Sequence, residues 1–466
     1  MIILWQIGIA ILGVVTTFVI PASAAVRFEQ ADLERLQRTK NCVNCQLRGA
    51  DLSGMDLSGA NLSGSQLFEV NLERANLTKA NLSYTQMRRV KLQGANITET
   101  NFIGAGLGGT DFRGLNLEIA YFEGAMFCHA LMPNGSQNVR DCRRFRILGW
   151  TKKFDSPPCP SSAISRNSKT PQSNPDDLNK LYLQLVGALS LLNAYRNDFT
   201  AYPFENREFI SLFPAAYYNT TKIELAAILR GDINHPQEKM EQMIAFFDAF
   251  QVNWQRWHSG RKDQVEPHWS TQFDFSERMT KSFQACLETQ KIDPTRNYGC
   301  YENYLTSSQR VLQAGIDAHV NNDMARSIAY TLERFKSRGI AFSLLKEEFD
   351  DTVVTLKKSS QVTLKEVISN NFDRNILNWL DKALIGTLDG VLKDRQRAWQ
   401  LGEQKALGEI KQIPPHPIRY DFEILGLNNV AQRNIEFLEQ KQPIGNHSRL
   451  RTLGEQFCGR TVANPE

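Results

Sequence analysis

The sequence predicts two folded modules of different kinds: a coil that turns a corner every five residues, followed by an all-α helical domain. Three observations predict this. Residues 45–134 divide into 18 consecutive pentapeptides without insertion, and the central residue of each is Leu, Ile, Met or Phe. From Asn174 onward apolar residues recur at helical spacing, as in Leu178, Leu181, Leu185, Ala188, Leu189 and Leu192. No proline stands between Pro294 and Pro414, which suits a run of long helices. A length of 466 residues exceeds one ordinary core. The composition, 42% apolar and 22% charged, excludes a disordered chain or a polytopic membrane protein.

Residues 1–24 read as an export signal. No charged side chain occurs before Arg27, an apolar run extends from Ile7 to Ile20, and Pro21-Ala22-Ser23-Ala24 supplies an A-x-A cleavage pattern. The other reading is an uncleaved anchor, because ~20 apolar residues span a bilayer. With the signal removed no transmembrane segment remains, and the protein is expected in the periplasm, the thylakoid lumen or the extracellular space, where disulfides persist. Residues 25–40 form an N-terminal cap, with a short helix over 28–39 that gathers Phe28, Leu33 and Leu36 on one side.

Residues 41–134 are the repeat. A period of five fits neither a 3.6-residue helix nor an alternating strand. It fits a chain with one large and one small residue pointing inward per corner; the small position holds Ala50, Ala60, Ser65, Ala75, Ala80, Ala95 and Ala120. All 15 charged residues of the repeat fall elsewhere. Four units close a square coil, so central residues 20 apart stack in columns: Leu62, Leu82, Phe102 and Phe122, and likewise Leu52, Leu72, Leu92, Phe112 and Met132. At a spacing of ~4.8 Å per coil the rod is ~20 Å long.

Units such as Ala60-Asn61-Leu62, Ala75-Asn76-Leu77 and Ala80-Asn81-Leu82 resemble the pentapeptide-repeat family. The resemblance implies a right-handed quadrilateral β-helix over about a fifth of the chain. The flanking Cys42-Val43-Asn44-Cys45 and Phe127-Cys128 through Cys142 resemble exported, cyanobacterial-type members. Some members of the family mimic DNA through an acidic surface and bind gyrase. Here residues 41–134 carry 7 basic and 8 acidic side chains, so no nucleic-acid role is expected.

Residues 135–150 are expected to cap the far end of the coil. Residues 151–174 form a Pro/Ser-rich linker that buries too little apolar surface to order itself. Asn174-Pro175-Asp176-Asp177 then marks a helix start, opening a helical domain over 175–466. Met240 to Trp257 reads as a further helix with Met243, Ile244, Phe247 and Phe250 inward.

His319 and Asp323 are the strongest candidate site. Four residues apart, they share a helix face with Leu312, Gly315, Ile316, Val320 and Ser327, so the pair is expected to point inward. Two readings stand: a buried tie between helices, or a metal or catalytic site in which the carboxylate orients the ring. Gly315-Ile316-Asp317-Ala318-His319-Val320-Asn321-Asn322-Asp323-Met324 resembles the N-A-H-[IV]-N-x-D-L motif of an uncharacterised bacterial helical family, with Asp317 for Asn and Met324 for Leu. Phe247-Asp248-Ala249-Phe250, Trp257, Gly260 and Pro267-His268-Trp269 fit an earlier block of that family. The resemblance implies a fold and a site but no reaction. A metal site would draw further ligands from His258, His268 or His235, although each of the three reads as a surface or loop residue.

Eight cysteines in an exported chain suggest disulfides. Cys42 and Cys45 occupy inward positions of the coil and are expected to bond. Cys128 and Cys142 bracket the C-terminal cap, and Cys286 and Cys300 flank a loop between helices. Cys159 and Cys458 remain, and their pairing would tie the tail to the linker. Nucleophile-elbow, Walker and Rossmann motifs are absent.

The reading that follows is an exported, non-enzymatic scaffold or interaction protein in which a rigid rod spaces a helical domain, with protein partners and no cofactor. The alternative is a metal-assisted hydrolase centred on His319 and Asp323, with His258 and His268 helping to hold a divalent cation. The net charge of +4 is concentrated: residues 135–174 carry +6, residues 1–134 balance, and residues 175–466 carry −2. That basic hinge suits weak contact with anionic surfaces, or simple solvation.

Overall fold

The computed structural model describes residues 28–138, 142, 158–159, 175–200, 208–292, 297–416 with interruptions between 344 and 373, 418–420, 423–426 and 447–458. The expected signal, most of the C-terminal cap and nearly all of the linker lie outside these residues.

Helix α1 (Gln30–Thr39) closes the start of the coil. Its Leu36 is fully buried in the coil's core, with Phe28 and Leu33 packed beside it. Asp32 accepts a hydrogen bond from the Gln46 N–H at 2.7 Å, which fixes the helix to the first turn.

The coil advances 20 residues per turn. Parallel bridges join Asn41 to Asn61, Asn61 to Asn81, Asn81 to Asn101 and Asn101 to Tyr121, and the same step recurs on the other sides. Each bridge spans single residues, because a corner every fifth residue ends the extended stretch. Among the described residues of this region, regular strand is confined to β1 (Ala130–Leu131) and β2 (Gln137–Asn138), an antiparallel pair at the far end. Inside, Phe102 and Phe122 stack at 4.9 Å with ring planes 5° apart. Small inward residues also satisfy backbone: Ser65 Oγ donates to the Cys42 carbonyl at 2.6 Å and Thr100 Oγ1 to the Leu77 carbonyl at 2.7 Å.

The corners explain the composition of the outward positions. Every fifth residue from Asn44 to His129 has positive φ, with one exception. Eight of these are not glycine, among them Glu69, Arg74, Lys79 and Tyr84, each accepting a left-handed conformation that costs L-residues ~1–2 kcal/mol. The exception is Ile119, whose β-branch excludes that conformation. There the chain forms a 3-10 turn over Leu117–Ile119, and the Glu99 N–H reaches the Ile119 carbonyl, one residue beyond the step set by Lys79 to Thr98. The 20-residue register continues past this point, from Asn101 to Tyr121 and from Gly106 to Met126, so only the corner geometry differs.

The helical domain contains α2 (Pro175–Thr200), α3 (Leu212–Arg230), α4 (Pro236–His258), α5 (Pro267–Ile292) and α6 (Asn297–Ala318). A π-helical turn, His319–Met324, joins α6 to α7 (Ala325–Ser337). Helix α8 (Arg374–Leu407), a short hairpin of β3 (Ile418–Tyr420) and β4 (Glu423–Gly426), and α9 (His447–Phe457) follow. The domain is therefore helical with one small hairpin rather than purely α.

The coil and the helical domain pack directly against each other. Tyr84 and Ile103 of the coil belong to the same buried cluster as Leu185, Leu192, Phe250 and Trp254. Asn193 of α2 donates to the Tyr84 hydroxyl at 2.6 Å. Helix α9 completes the seam: Gln456 donates to the Lys79 and Glu99 carbonyls, and Arg449 pairs with Glu123 over the Tyr121 ring. Helices α2 and α9 touch through glycines, because a Cβ on Gly187 or Gly454 would collide with the backbone of the other helix.

Candidate functional site

The side of the coil under the helical domain is built from the units centred on Leu62, Leu82, Phe102 and Phe122. Their outward residues include Asn61, Ser63, Asn81, Ser83, Asn101 and Ile103, and Glu123, paired with Arg449, is their one charged residue. The other 14 charged residues of the repeat lie on the remaining three sides. Among them Arg48, Asp51, Arg74, Arg88, Arg89 and Arg113 are exposed.

Inside the helical domain, Asp323 is fully buried at the centre of an ion network. The π-turn widens the helix at His319–Met324 and buries all six of its side chains. Asp323 Oδ2 accepts from His319 Nδ1 at 2.8 Å and from Trp269 Nε1 at 2.9 Å. Its Oδ1 faces His268 Nε2 at 3.0 Å and receives Arg326. Arg326 grips Glu266 with both terminal nitrogens, at 3.0 and 2.7 Å, and Glu266 in turn lies 3.1 Å from His268. Burial pushes the Asp323 carboxyl upward, but His268, His319 and Arg326 outweigh it and hold the group well below the usual carboxylate range.

Burial lowers the proton affinity of His319 below its usual value despite Asp323. Nδ1 faces Asp323 Oδ2, and in the neutral ring a proton on Nδ1 leaves Nε2 as an acceptor. Nε2 is buried without a hydrogen bond among the described residues. The ring lies against Phe246 at 3.4 Å and within 4.8 Å of Tyr217 and 5.4 Å of Phe213.

The neighbouring motif residues are ties. Asn322 holds both backbone groups of His416, accepting from its N–H at 2.9 Å and donating to its carbonyl at 3.2 Å. Asn321 donates to Asp317. Together the π-turn is pinned to the start of α5 and to the segment before β3.

Of the residues singled out in the sequence, His319, Asp323 and His268 come together and His258 and His235 do not. His258 bonds the Trp254 carbonyl from its own helix and stacks on that ring at 4.2 Å. His268 and His235 are buried rather than surface residues, His268 through its carboxylate partners and His235 at the N-terminus of α4. Sequence reasoning missed Glu266, Trp269 and Arg326 as members of the site; the spacing of Arg326, three residues after Asp323, was the available signal. Glu266, His268 and Asp323 could together hold a metal ion, but Arg326 already occupies both carboxylates.

All eight cysteines are paired, as Cys42–Cys45, Cys128–Cys142, Cys159–Cys458 and Cys286–Cys300. No helix among the described residues is long and apolar enough to cross a membrane.

The family described as Pentapeptide repeats (8 copies) matches residues 41–72, 56–94 and 95–132. The chain carries pentapeptide repeats. Pentapeptide-repeat proteins are typically non-enzymatic interaction or scaffold proteins. Similar solved structures include HetL, a pentapeptide-repeat protein involved in heterocyst differentiation regulation from the cyanobacterium Nostoc sp. strain PCC 7120. It is 29% identical, with 21% of this chain and 51% of that chain covered and a TM-score of 0.18. This chain thus spans about half of that protein's length. A pentapeptide-repeat protein from the cyanobacterium Cyanothece 51142 is 24% identical, with 20% and 92% covered and a TM-score of 0.16. One from the Arabidopsis thaliana thylakoid lumen is 24% identical, with 23% and 77% covered and a TM-score of 0.11. No curated protein matches the chain. The family match ends at residue 132, before the helical domain begins.

Proposed function

We propose that the protein is an exported, non-enzymatic scaffold whose pentapeptide-repeat coil, read as a right-handed quadrilateral β-helix, offers three charged sides to protein partners. The helical domain serves as a permanent clamp on the fourth side. The partition of charge carries this reading: the covered side has one charged residue, already paired, and the open sides have the other 14. Complementary charge steers partners and sets specificity. The Asp323 network supports a structural role for the motif, since each of its carboxylates has a cationic or N–H partner. Pairing of every cysteine supports an extracytoplasmic location.

The test is recovery of crosslinked partners by the full chain and by Arg88→Glu/Arg89→Glu, with matching reversals on the other two open sides. Loss of a partner on one side with unchanged circular dichroism is the expected result. Unchanged recovery by all three variants removes the reading.

A metal-assisted hydrolase stands as the second reading, favoured by the Glu266, His268 and Asp323 trio. Those residues would hold the ion, and His319, bound to Asp323, would orient the trio. Metal analysis of the purified chain separates the two: a stoichiometric divalent ion lost in Glu266→Gln supports the hydrolase.

A further inference from the structure

A cavity of about 580 Å³ lies between α2, α4, α7 and α9. Its apolar wall comes from Leu181, Ile244, Ala245, Ala249 and Val252, a strip along α2 and α4. The opposite wall carries the carboxylates of Glu266 and Asp323 with Arg326 between them. We propose that this cavity binds a free aliphatic amine, a diamine or polyamine, with its methylene chain on the apolar strip.

Two buried acceptors on the lining make no hydrogen bond among the described residues: Gln184 Oε1, and Glu241 Oε2, which faces Arg334 Nε at 3.5 Å as an ion pair. A buried acceptor without a hydrogen-bond donor is destabilising. A ligand that brings N–H groups removes that cost. Glu333 adds an exposed carboxylate to the lining. The lining acids, Glu241, Asp248, Glu266, Asp323 and Glu333, outnumber Arg326, Arg334, Lys405 and His447, although His447 is paired with Asp248. A neutral diol would satisfy fewer acceptors and none of the charge, and an anion would meet the excess acid. Non-specific attraction does not account for such binding, because the chain as a whole is +4.

Calorimetric titration of the full chain with putrescine, spermidine and 1,4-butanediol tests this. The amines are expected to bind saturably and the diol not. Glu241→Gln is expected to weaken amine binding about tenfold. Because Glu241 also pairs with Arg338 within the fold, the exposed Glu333→Gln serves as a second variant, with a smaller loss expected. Val252→Trp, which fills the apolar wall, is expected to abolish binding. Amines that bind no better than the diol, or bind Glu333→Gln and Val252→Trp unchanged, overturn the proposal. Capture of a lysine-bearing peptide without any binding of putrescine or spermidine overturns it too, by moving the ligand to a protein.

Discussion

The coil and the helical domain are held by opposite means. In the coil, what lies inside follows from counting: Leu62, Leu82, Phe102 and Phe122 are 20 residues apart, and the last two stack face to face. In the helical domain, the most buried charged group, Asp323, is met by Trp269 from 54 residues away and by His268 from 55. One core is periodic and apolar, and a lost methylene is a local loss. The other has an ionic centre in which each member is buried only because the rest are present. The two regions should therefore fail differently.

The largest effect is expected from Asp323→Ala. It leaves Trp269 Nε1 and His319 Nδ1 buried without their acceptor, and His268 and Arg326 with Glu266 as their one remaining carboxylate. Breaking a buried pair from one side costs ~3–5 kcal/mol. The helical far-UV signal should melt well before that of the wild type, while Phe102→Leu, a milder change in the coil, should leave the helical signal nearly unmoved. Equal shifts from the two variants would erase the contrast between the cores.

The same contrast decides what was legible in the sequence. The coil's inward columns, the α1 cap, three of the cysteine pairs and the inward face of the helix carrying His319 were readable from spacing, and Cys159 and Cys458 were the two cysteines left over. The side of the coil that meets α2 was marked by its lack of charge, yet nothing periodic announces a partner, so the two modules were read as separate. Glu266 and Arg326 were invisible as a unit because their meeting depends on how α5 packs against the π-turn. The π-turn itself leaves no spacing signal, since six residues in a wide turn keep His319 and Asp323 as close as an α-helix does.

The corners of the coil offer a finer test of its counting rule. Arg74 is exposed and has φ of 60°. Arg74→Gly should stabilise the coil by ~0.5–1 kcal/mol, as release of left-handed strain exceeds the entropy glycine adds to the unfolded chain. Arg74→Ile should destabilise it by ~1–2 kcal/mol, because it transplants the obstacle found at Ile119. Denaturant titration of both variants reads the sign. Shifts in the same direction would mean that the β-branch is not what breaks the corner at Ile119.

The smallest expected effect lies in the tie between α4 and α9, the helix that completes the seam. His447 Nε2 is 2.8 Å from Asp248, so the first residue of α9 is tied to α4. The hydrogen bond to Asp248 raises the proton affinity of His447 above its usual value near 6.5, opposed by burial and by Arg334. A raised folded-state pKa means that the ion pair contributes fully below the unfolded value. The contribution is lost as pH rises through the higher folded value. The melting temperature of the wild type should therefore exceed that of His447→Gln by a margin that is widest at about pH 5 and closes by about pH 9. The imidazole is over a third exposed, so the margin should be small and should shrink with added salt. A margin that widens with pH would mean that neutral His447 is the favoured form, and the seam would then be held by Arg449, Gln456 and the Cys159–Cys458 bond without it.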